Sequence, residues 1–86
     1  MVKRKVVIQN DLGLHARPAA KLAEAARKFQ AKVYLRKGSQ QVEAESILDV
    51  LSLACTKGSI IEICAEGEEA ERAVSEIVEL LTEKIS

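Results

Sequence analysis

The sequence predicts an α+β open-faced β-sandwich: a four-stranded antiparallel sheet with three helices on one face, built as one domain over residues 1–86. Four short segments alternate apolar and polar residues, and three others repeat apolar residues at helical spacing. Their order is β-α-β-β-α-β-α, which two split βαβ halves would produce. Lysine and glutamate alternate along the strands, so the second face of the sheet is expected to face water.

Four segments show the alternation that is typical of half-buried strands. They span residues 2–8, 32–36, 40–44 and 60–65. Lys37-Gly38-Ser39, between the second and the third, is a hairpin signal. The residues expected to face the helices from the first three strands are Val2, Val6, Ile8, Val33, Leu35 and Val42.

The first and third helices show apolar residues on one side. The first is predicted over residues 16–28, with Pro18 in its first turn, where a missing N–H costs nothing. The third is predicted to begin near Glu68, where the helix dipole favours acidic residues, and to run to about Lys84. Their core-facing residues are expected to be Ala19, Leu22, Ala23, Ala26 and Phe29 in the first helix, and Ala70, Val74, Ile77, Val78, Leu81 and Ile85 in the third.

The second helix is predicted over residues 47–55. Ser46 is a good N-cap, Asp49 resembles the acidic partner of a capping box, and Lys57-Gly58 is a stop signal. Apolar residues cover most of its circumference, although a short helix on a sheet buries only one stripe. Two interpretations stay open, an exposed docking site or burial beneath the last helix. The residues concerned are Ile47, Leu48, Val50, Leu51, Leu53 and Ala54.

Composition argues against several classes of protein. Thirteen basic residues balance thirteen acidic ones, which is unlike a nucleic-acid binder held by counterion release. One Tyr, one Phe and no Trp leave no platform for stacking bases. No apolar run approaches the ~20 residues of a membrane span, and no signal-peptide pattern follows Met1. The sequence therefore predicts a cytoplasmic protein with no nucleic-acid or membrane partner.

The two cysteines, Cys55 and Cys64, have a spacing that fits no zinc or redox motif. Both lie among apolar residues, where cysteine behaves as a small hydrophobe, so reduced core thiols are expected. The single histidine has no second histidine or close cysteine pair to share a metal ion with. No metal and no cofactor are predicted.

The stretch Gly13-Leu14-His15-Ala16-Arg17-Pro18 holds the only histidine and the only proline of the chain. It is predicted to be a loop that turns into the first helix, so His15 lies at or just before a helix N-terminus. Backbone N–H groups point outward there, and the dipole favours negative charge. Arg17 adds a planar cation suited to phosphate oxygens. These groups suit a histidine that briefly carries a phosphoryl group, and a merely structural histidine is the simpler interpretation.

The whole chain resembles the histidine-containing phosphocarrier protein family, HPr, of the bacterial phosphoenolpyruvate-dependent phosphotransferase system. Residues 13–19 look like its active-site segment, and residues 46–58 look like its regulatory-serine helix. The resemblance implies a monomeric carrier rather than an enzyme. Nδ1 of His15 would accept a phosphoryl group from phospho-enzyme I, with Ala16 and Arg17 around it, and pass it to an enzyme IIA in sugar uptake.

The resemblance also makes Ser46 a candidate for a regulatory serine kinase and phosphorylase, with a transcriptional regulator as a further partner. A phosphate on an N-cap serine would lie on helix amides, and its charge would disfavour an acidic partner. A role as a cap alone is the simpler interpretation. The contact patch carried over from the family comprises Ile47, Leu48 and Leu51, with Arg17, Ala20, Lys21 and Arg27 at its rim.

Two departures from the family concern regulation. Leu48-Asp49 replaces a Met-Gly pair that many members have, and Glu45 replaces a frequent lysine. Leu48 keeps the apolar character of the patch. Asp49 would either weaken recognition by a kinase or strengthen the cap.

The sequence leaves further functions open. The same fold serves in nitrogen-type regulatory phosphorelays and in catabolite co-regulators that act through Ser46, although retention of His15 argues against a purely serine-based role. A small RNA- or protein-binding module and a freestanding enzyme belong to different functional classes. The balanced charge argues against RNA binding, and the lack of a nucleophile motif argues against an enzyme.

Overall fold

The computed structural model describes residues 1–82 and has the predicted order of elements. Lys84 and Ile85, predicted to belong to the third helix, lie outside the described residues. Within residues 1–82, no helix is both long enough and apolar enough to cross a bilayer. The elements are β1 (Val2–Val7), α1 (Ala16–Lys28), β2 (Lys32–Lys37), β3 (Gln40–Glu43), α2 (Ile47–Ser52), β4 (Ile60–Glu66) and α3 (Ala70–Thr82).

The strands form one antiparallel sheet in the order β1-β4-β2-β3. Ile61 of β4 lies opposite Val6 of β1. Ile63, two residues further along β4, lies opposite Leu35 of β2. Because side chains alternate along a strand, these residues share one face. There α3 packs on β1 and β4, α2 packs on β3, and α1 packs against both other helices. The largest fully buried apolar side chains are Ile8, Leu22, Leu35, Val50, Leu53, Ile61, Ile63, Val74, Ile77 and Leu81.

The other face of the sheet, here called the open face, carries the alternate residues of each strand, whose side chains point away from the helices. Lys3, Lys5 and Arg36 are exposed on it, which confirms the prediction of a wet second face. Cys64 is buried, but on the open face between Lys3 and Tyr34, because it is one residue out of phase with the core. Cys55 belongs to the core beneath the helices, and both thiols are free.

The second helix is shorter than predicted, because α2 ends at Ser52 rather than Cys55. Ala54 has a φ of 51°, in the left-handed region, and turns the chain away before Lys57-Gly58 is reached. A cation from β2 satisfies the helix end. Lys37 Nζ donates to the carbonyl oxygens of Leu53 at 3.2 Å and of Ala54 at 3.1 Å.

The N-terminus of α2 is capped as predicted, although the capping box is incomplete. Ser46 Oγ accepts a hydrogen bond from the backbone N–H of Asp49 at 3.3 Å. In a complete capping box the Ser46 N–H would donate to the Asp49 carboxylate, but here it donates to the carbonyl oxygen of Glu43 at 3.2 Å. Glu43 is the last residue of β3, so the short connection to α2 brings this carbonyl within reach.

Candidate functional site

His15 is the N-cap residue of α1, with φ and ψ of −92° and −171°. Its carbonyl oxygen accepts a hydrogen bond from Ala19 N at 3.0 Å, which starts the helical ladder. Ala16, Arg17 and Pro18 are the first helical residues. Because Pro18 has no N–H, the first three positions carry only the backbone amides of Ala16 and Arg17. The first turn contains no acidic residue, so the positive end of the helix dipole is not neutralised from within α1.

The imidazole of His15 is half-exposed and makes no capping hydrogen bond to its own helix. Its Nε2 atom is buried and has no hydrogen-bond partner among residues 1–82. Arg17, two residues along the first turn, is exposed. The site thus combines an accessible imidazole, a helix N-terminus and a guanidinium.

Gly13 fixes the loop that carries His15, which we define as the His15 loop, residues 9–15. Its φ is 72°, and its N–H donates to the carbonyl oxygen of Asn10 at 2.9 Å. A Cβ at this position would collide with the carbonyl oxygen of Cys55 and lie 2.9 Å from Thr56 Cα. Glycine is therefore required here both for its backbone conformation and for the close approach of the α2–β4 connection.

The α2–β4 connection holds the His15 loop through backbone hydrogen bonds. Leu14 N donates to the carbonyl oxygen of Cys55 at 2.8 Å. Just before the loop, Ile8 donates to Ser59 O and accepts from Gly58 N, each at 2.9 Å. Lys57 and Asp11 form an exposed ion pair at 3.0 Å, which adds little free energy by itself. The position of His15 depends on a segment about 40 residues away in sequence.

Asn10 is buried within the His15 loop, although its place in the sequence predicts no role for it. It is 1% exposed, and its Oδ1 atom has no hydrogen-bond partner among the described residues. A loop asparagine ordinarily indicates a turn. Nothing in the local sequence signals its burial.

The apolar side of α2 is divided between core and solvent. Val50 and Leu53 are buried, and Leu51 is half-buried. Ile47 and Leu48 are 36% and 79% exposed. The interpretation of burial beneath the last helix is therefore wrong for these two residues, and an exposed apolar surface next to Ser46 remains.

The predicted rim residues are not equally close to His15. Ala20 and Lys21 are exposed in the first half of α1. Arg27 is exposed in its last turn, about 18 Å along the helix axis from His15 at 1.5 Å per residue. Since α1 packs on α2, the helix that starts at His15 adjoins the one that carries Ile47 and Leu48.

The surroundings of Cys55 favour the protonated form of its thiol. Burial raises the pKa of the Cys55 thiol, with the charge of Lys37 opposing it, so this thiol is protonated at neutral pH. In the part of the chain that the structure describes, no three His, Cys, Asp or Glu side chains are grouped to hold a metal ion.

Comparisons with known proteins agree with this geometry. A family model described as "PTS HPr component phosphorylation site" matches residues 2–83. The phosphocarrier protein HPr of Treponema pallidum is 38% identical over 84 residues, covering 98% of this chain and 96% of that protein. A crystal structure of HPr from Thermoanaerobacter tengcongensis has a TM-score of 0.92 and 36% identity, covering 98% of this chain and 94% of that one.

A third match comes from Bacillus subtilis. The catabolite-repression protein Crh, whose crystal structure is a domain-swapped dimer, has a TM-score of 0.77 and 34% identity. The match covers 100% of this chain and 99% of the Crh chain.

Proposed function

Since this chain belongs to the HPr family of phosphotransferase-system phosphocarriers, we propose that it accepts a phosphoryl group from phospho-enzyme I on His15 and passes it to an enzyme IIA during sugar uptake. The observation that carries the proposal is the half-exposed imidazole at the N-terminus of α1, two residues from an exposed arginine. The protein acts as a co-substrate of its partners, in the cytoplasm, and not as an enzyme.

The transfer step follows from the arrangement of the site. Nδ1 of neutral His15 attacks phosphorus, and the bond from phosphorus to the donor breaks. Burial of Nε2 supports Nδ1 as the attacking atom, because it is the ring nitrogen left for a donor approaching from solvent. The transition state is loose, so the amides of α1 and the guanidinium of Arg17 contribute mainly by alignment and by stabilising charge. The next acceptor then attacks the same phosphorus, the bond from phosphorus to Nδ1 breaks, and His15 is free again.

Partner docking is assigned to the apolar surface of α2. Ile47 and Leu48 provide exposed apolar area, and α1 adjoins it with Ala20 and Lys21. A carrier must leave each partner to meet the next, so the interface is expected to be small and short-lived. Leu51 and Arg27 are further contact candidates, with Arg27 at the far end of α1.

Ser46 is the candidate regulatory site for a serine kinase and phosphorylase. Its Oγ already lies at the N-terminus of α2, where a phosphate would meet helix amides. The phosphate would add a charge of about −1.5 to −2 directly before Ile47, and would disfavour acidic partners. Glu45 and Asp49 flank it with like charges, so modification of Ser46 is expected to be harder here than beside a lysine.

The resemblance to Crh supports a second candidate, a catabolite co-regulator that acts through phosphorylated Ser46 and binds a transcriptional regulator. That role would need no histidine chemistry, whereas His15 is here placed on a helix N-terminus. A carrier in a nitrogen-type relay would use the same site with different partners. The Crh dimer also makes the oligomeric state a point to measure, and we expect a monomer by light scattering.

The test compares wild type with His15→Ala and Ser46→Ala, each incubated with phosphoenolpyruvate and enzyme I. Wild type and Ser46→Ala should gain one phosphate that is labile in acid and stable in alkali, and should lose it to an enzyme IIA. His15→Ala should gain none. A modification that survives in His15→Ala would refute the assignment. A Ser46→Ala protein that transfers normally but resists an ATP-dependent kinase would separate the two roles.

A further inference from the structure

A polar groove lies on the open face of the sheet, on the side opposite the helices. Its volume is about 490 Å³, within the range of small-molecule sites. Lys3 and Lys5 of β1, Arg36 of β2, and Ile60 and Glu62 of β4 line it. The proposed phosphocarrier role uses none of these residues.

The cations of this groove form no ion pair among the described residues 1–82. Lys5 and Arg36 are the cross-strand neighbours of Glu62, one on each side. Nevertheless, within residues 1–82, the ion pairs of the molecule lie elsewhere, and neither side chain bonds to this carboxylate. Arg36 Nε instead donates to the carbonyl oxygen of Gly38 at 3.2 Å, which holds the guanidinium at the groove.

Glu62 is oriented by a neighbour on its own strand. Its Oε1 atom accepts a hydrogen bond from the Cys64 thiol at 3.7 Å, and its side chain is only partly exposed. Ile60, two residues before it on the same face, is 63% exposed and adds an apolar edge. The groove therefore combines three cations, one fixed acceptor and a small apolar surface.

We propose that this groove binds a small phosphorylated polyol, with its phosphate on Lys3, Lys5 and Arg36 and a hydroxyl group donating to Glu62. Arginine and lysine match phosphate oxygens in charge and geometry. A lone carboxylate repels a bare anion but accepts hydrogen bonds from hydroxyl groups, which selects a ligand with both chemical groups. The site lies on the opposite face from α1, so His15 stays accessible when it is filled.

The experiment is an NMR titration of the whole chain, following backbone amide shifts. The probes are glycerol 3-phosphate, inorganic phosphate and glycerol at constant ionic strength, because salt screens exposed charges. Glycerol 3-phosphate should give saturable shifts at Lys5, Arg36 and Glu62 with a Kd of about 1–10 mM. Inorganic phosphate should bind several-fold more weakly at the same residues, and glycerol should cause no shift.

Matched variants separate a built site from general attraction. Lys5→Gln and Arg36→Gln should each weaken the binding of glycerol 3-phosphate about threefold to fivefold. Arg4→Gln removes the same charge from the same strand but on the other face, since Arg4 lies opposite Ile63, and should change the affinity less than about twofold. Glu62→Gln should strengthen the binding of inorganic phosphate, so that glycerol 3-phosphate no longer binds more tightly than inorganic phosphate does.

Three results would overturn the proposal. They are shifts that do not saturate, an Arg4→Gln effect equal to that of Lys5→Gln, and shifts confined to residues 15–18. All the substituted side chains except Glu62 are exposed, so the variants should stay folded. Unchanged amide shifts in α3 verify this, and His15→Ala should bind like wild type, which keeps this test independent of the phosphocarrier role.

Discussion

Ala54 has a backbone conformation that residues with a Cβ rarely adopt. Its φ of 51° costs an alanine roughly 1–2 kcal/mol relative to right-handed backbone. A glycine at this position avoids the cost but makes the unfolded chain more flexible, which favours unfolding. We expect Ala54→Gly to raise the free energy of unfolding by about 0.5–1 kcal/mol, measured by urea denaturation at pH 7.

The matched control for that variant is Ala20→Gly. Ala20 is also exposed but lies inside α1, where glycine costs about 1 kcal/mol. The two alanine-to-glycine changes should therefore shift the urea midpoint in opposite directions. Equal loss of stability in both would show that Ala54 is not strained.

Gly13 and Gly38 have similar positive φ values, 72° and 60°, but different surroundings. A Cβ on Gly38 meets nothing within 4 Å, whereas one on Gly13 collides with the Cys55–Thr56 backbone. Gly38→Ala should cost about 1 kcal/mol from conformation alone. Gly13→Ala should cost about 3 kcal/mol and slow phosphorylation of His15, measured by thermal unfolding and by phosphate uptake.

The residues of the candidate site differ in how far sequence reveals them. The place of His15 at a helix start was predictable, because Pro18 and the alanine-rich run after it are local signals. The burial of Nε2 and of Asn10 was not, and neither was the contact between Gly13 and Cys55. The contact between Gly13 and Cys55 joins two segments that meet only in the folded chain.

At the scale of elements, α2 is held at its C-terminus by a cation from another strand. Lys37 Nζ donates to the carbonyl oxygens of the two residues that follow α2, Leu53 and Ala54. Lys37→Met keeps most of the apolar stem and removes both bonds. We expect it to destabilise the protein by about 1 kcal/mol in urea denaturation.

Lys32→Met is the control for that prediction. Lys32 lies on the same strand, and its ion pair with Glu43 is long, at 3.8 Å, with both side chains exposed. Such pairs contribute about 0–1 kcal/mol, so this variant should stay close to wild type. A Lys37→Met protein that is as stable as Lys32→Met would contradict a capping role.

The predicted end of α2 was wrong because contacts from other parts of the chain end this helix. Lys57-Gly58 has the composition of a helix stop, so the sequence suggested a helix to Cys55. In the structure an alanine makes the turn, and the capping cation comes from a hairpin 16 residues earlier. Local sequence signals predicted that this helix exists and where it starts, but contacts made in the tertiary structure decide where it ends.

At the scale of the whole molecule, stability should fall in alkali. Burial raises the pKa of Cys55 from its ordinary 9.0, with Lys37 opposing; burial, and then the charge and hydrogen bond of Glu62, raise the pKa of Cys64. The unfolded chain therefore ionises these thiols first. Their stabilising contribution is complete below about pH 9 and is lost as pH rises through the folded pKa values.

Urea denaturation between pH 7 and 10 measures this loss. Cys55→Ala and Cys64→Ala should each be less stable than wild type at pH 7, because a buried side chain is shortened. Each should also lose less stability on going to pH 10. Other groups also titrate at alkaline pH, so the informative quantity is the difference in stability between variant and wild type. Parallel curves for all three proteins would contradict the prediction.

The alternation of residues predicted which side chains face the helices, and the order of the elements predicted an antiparallel sheet. It did not predict the order β1-β4-β2-β3, which is set by long-range pairing. Val6 on the first strand meets Ile61 on the last, and α3 covers both strands. Periodicity describes one segment at a time and carries no information on which segments become neighbours.

The pairing of the first strand with the last has a consequence for how this protein is made. A ribosome releases β1 first, yet its hydrogen-bonding partner Ile60–Glu66 and its cover Ala70–Thr82 come last. Until β4 has been made, β1 has no strand to pair with, and the sheet of the nascent chain cannot form completely. Folding should therefore be a late, single event that follows translation of nearly all of these residues, and a ribosome stalled before α3 should hold a chain open to proteases.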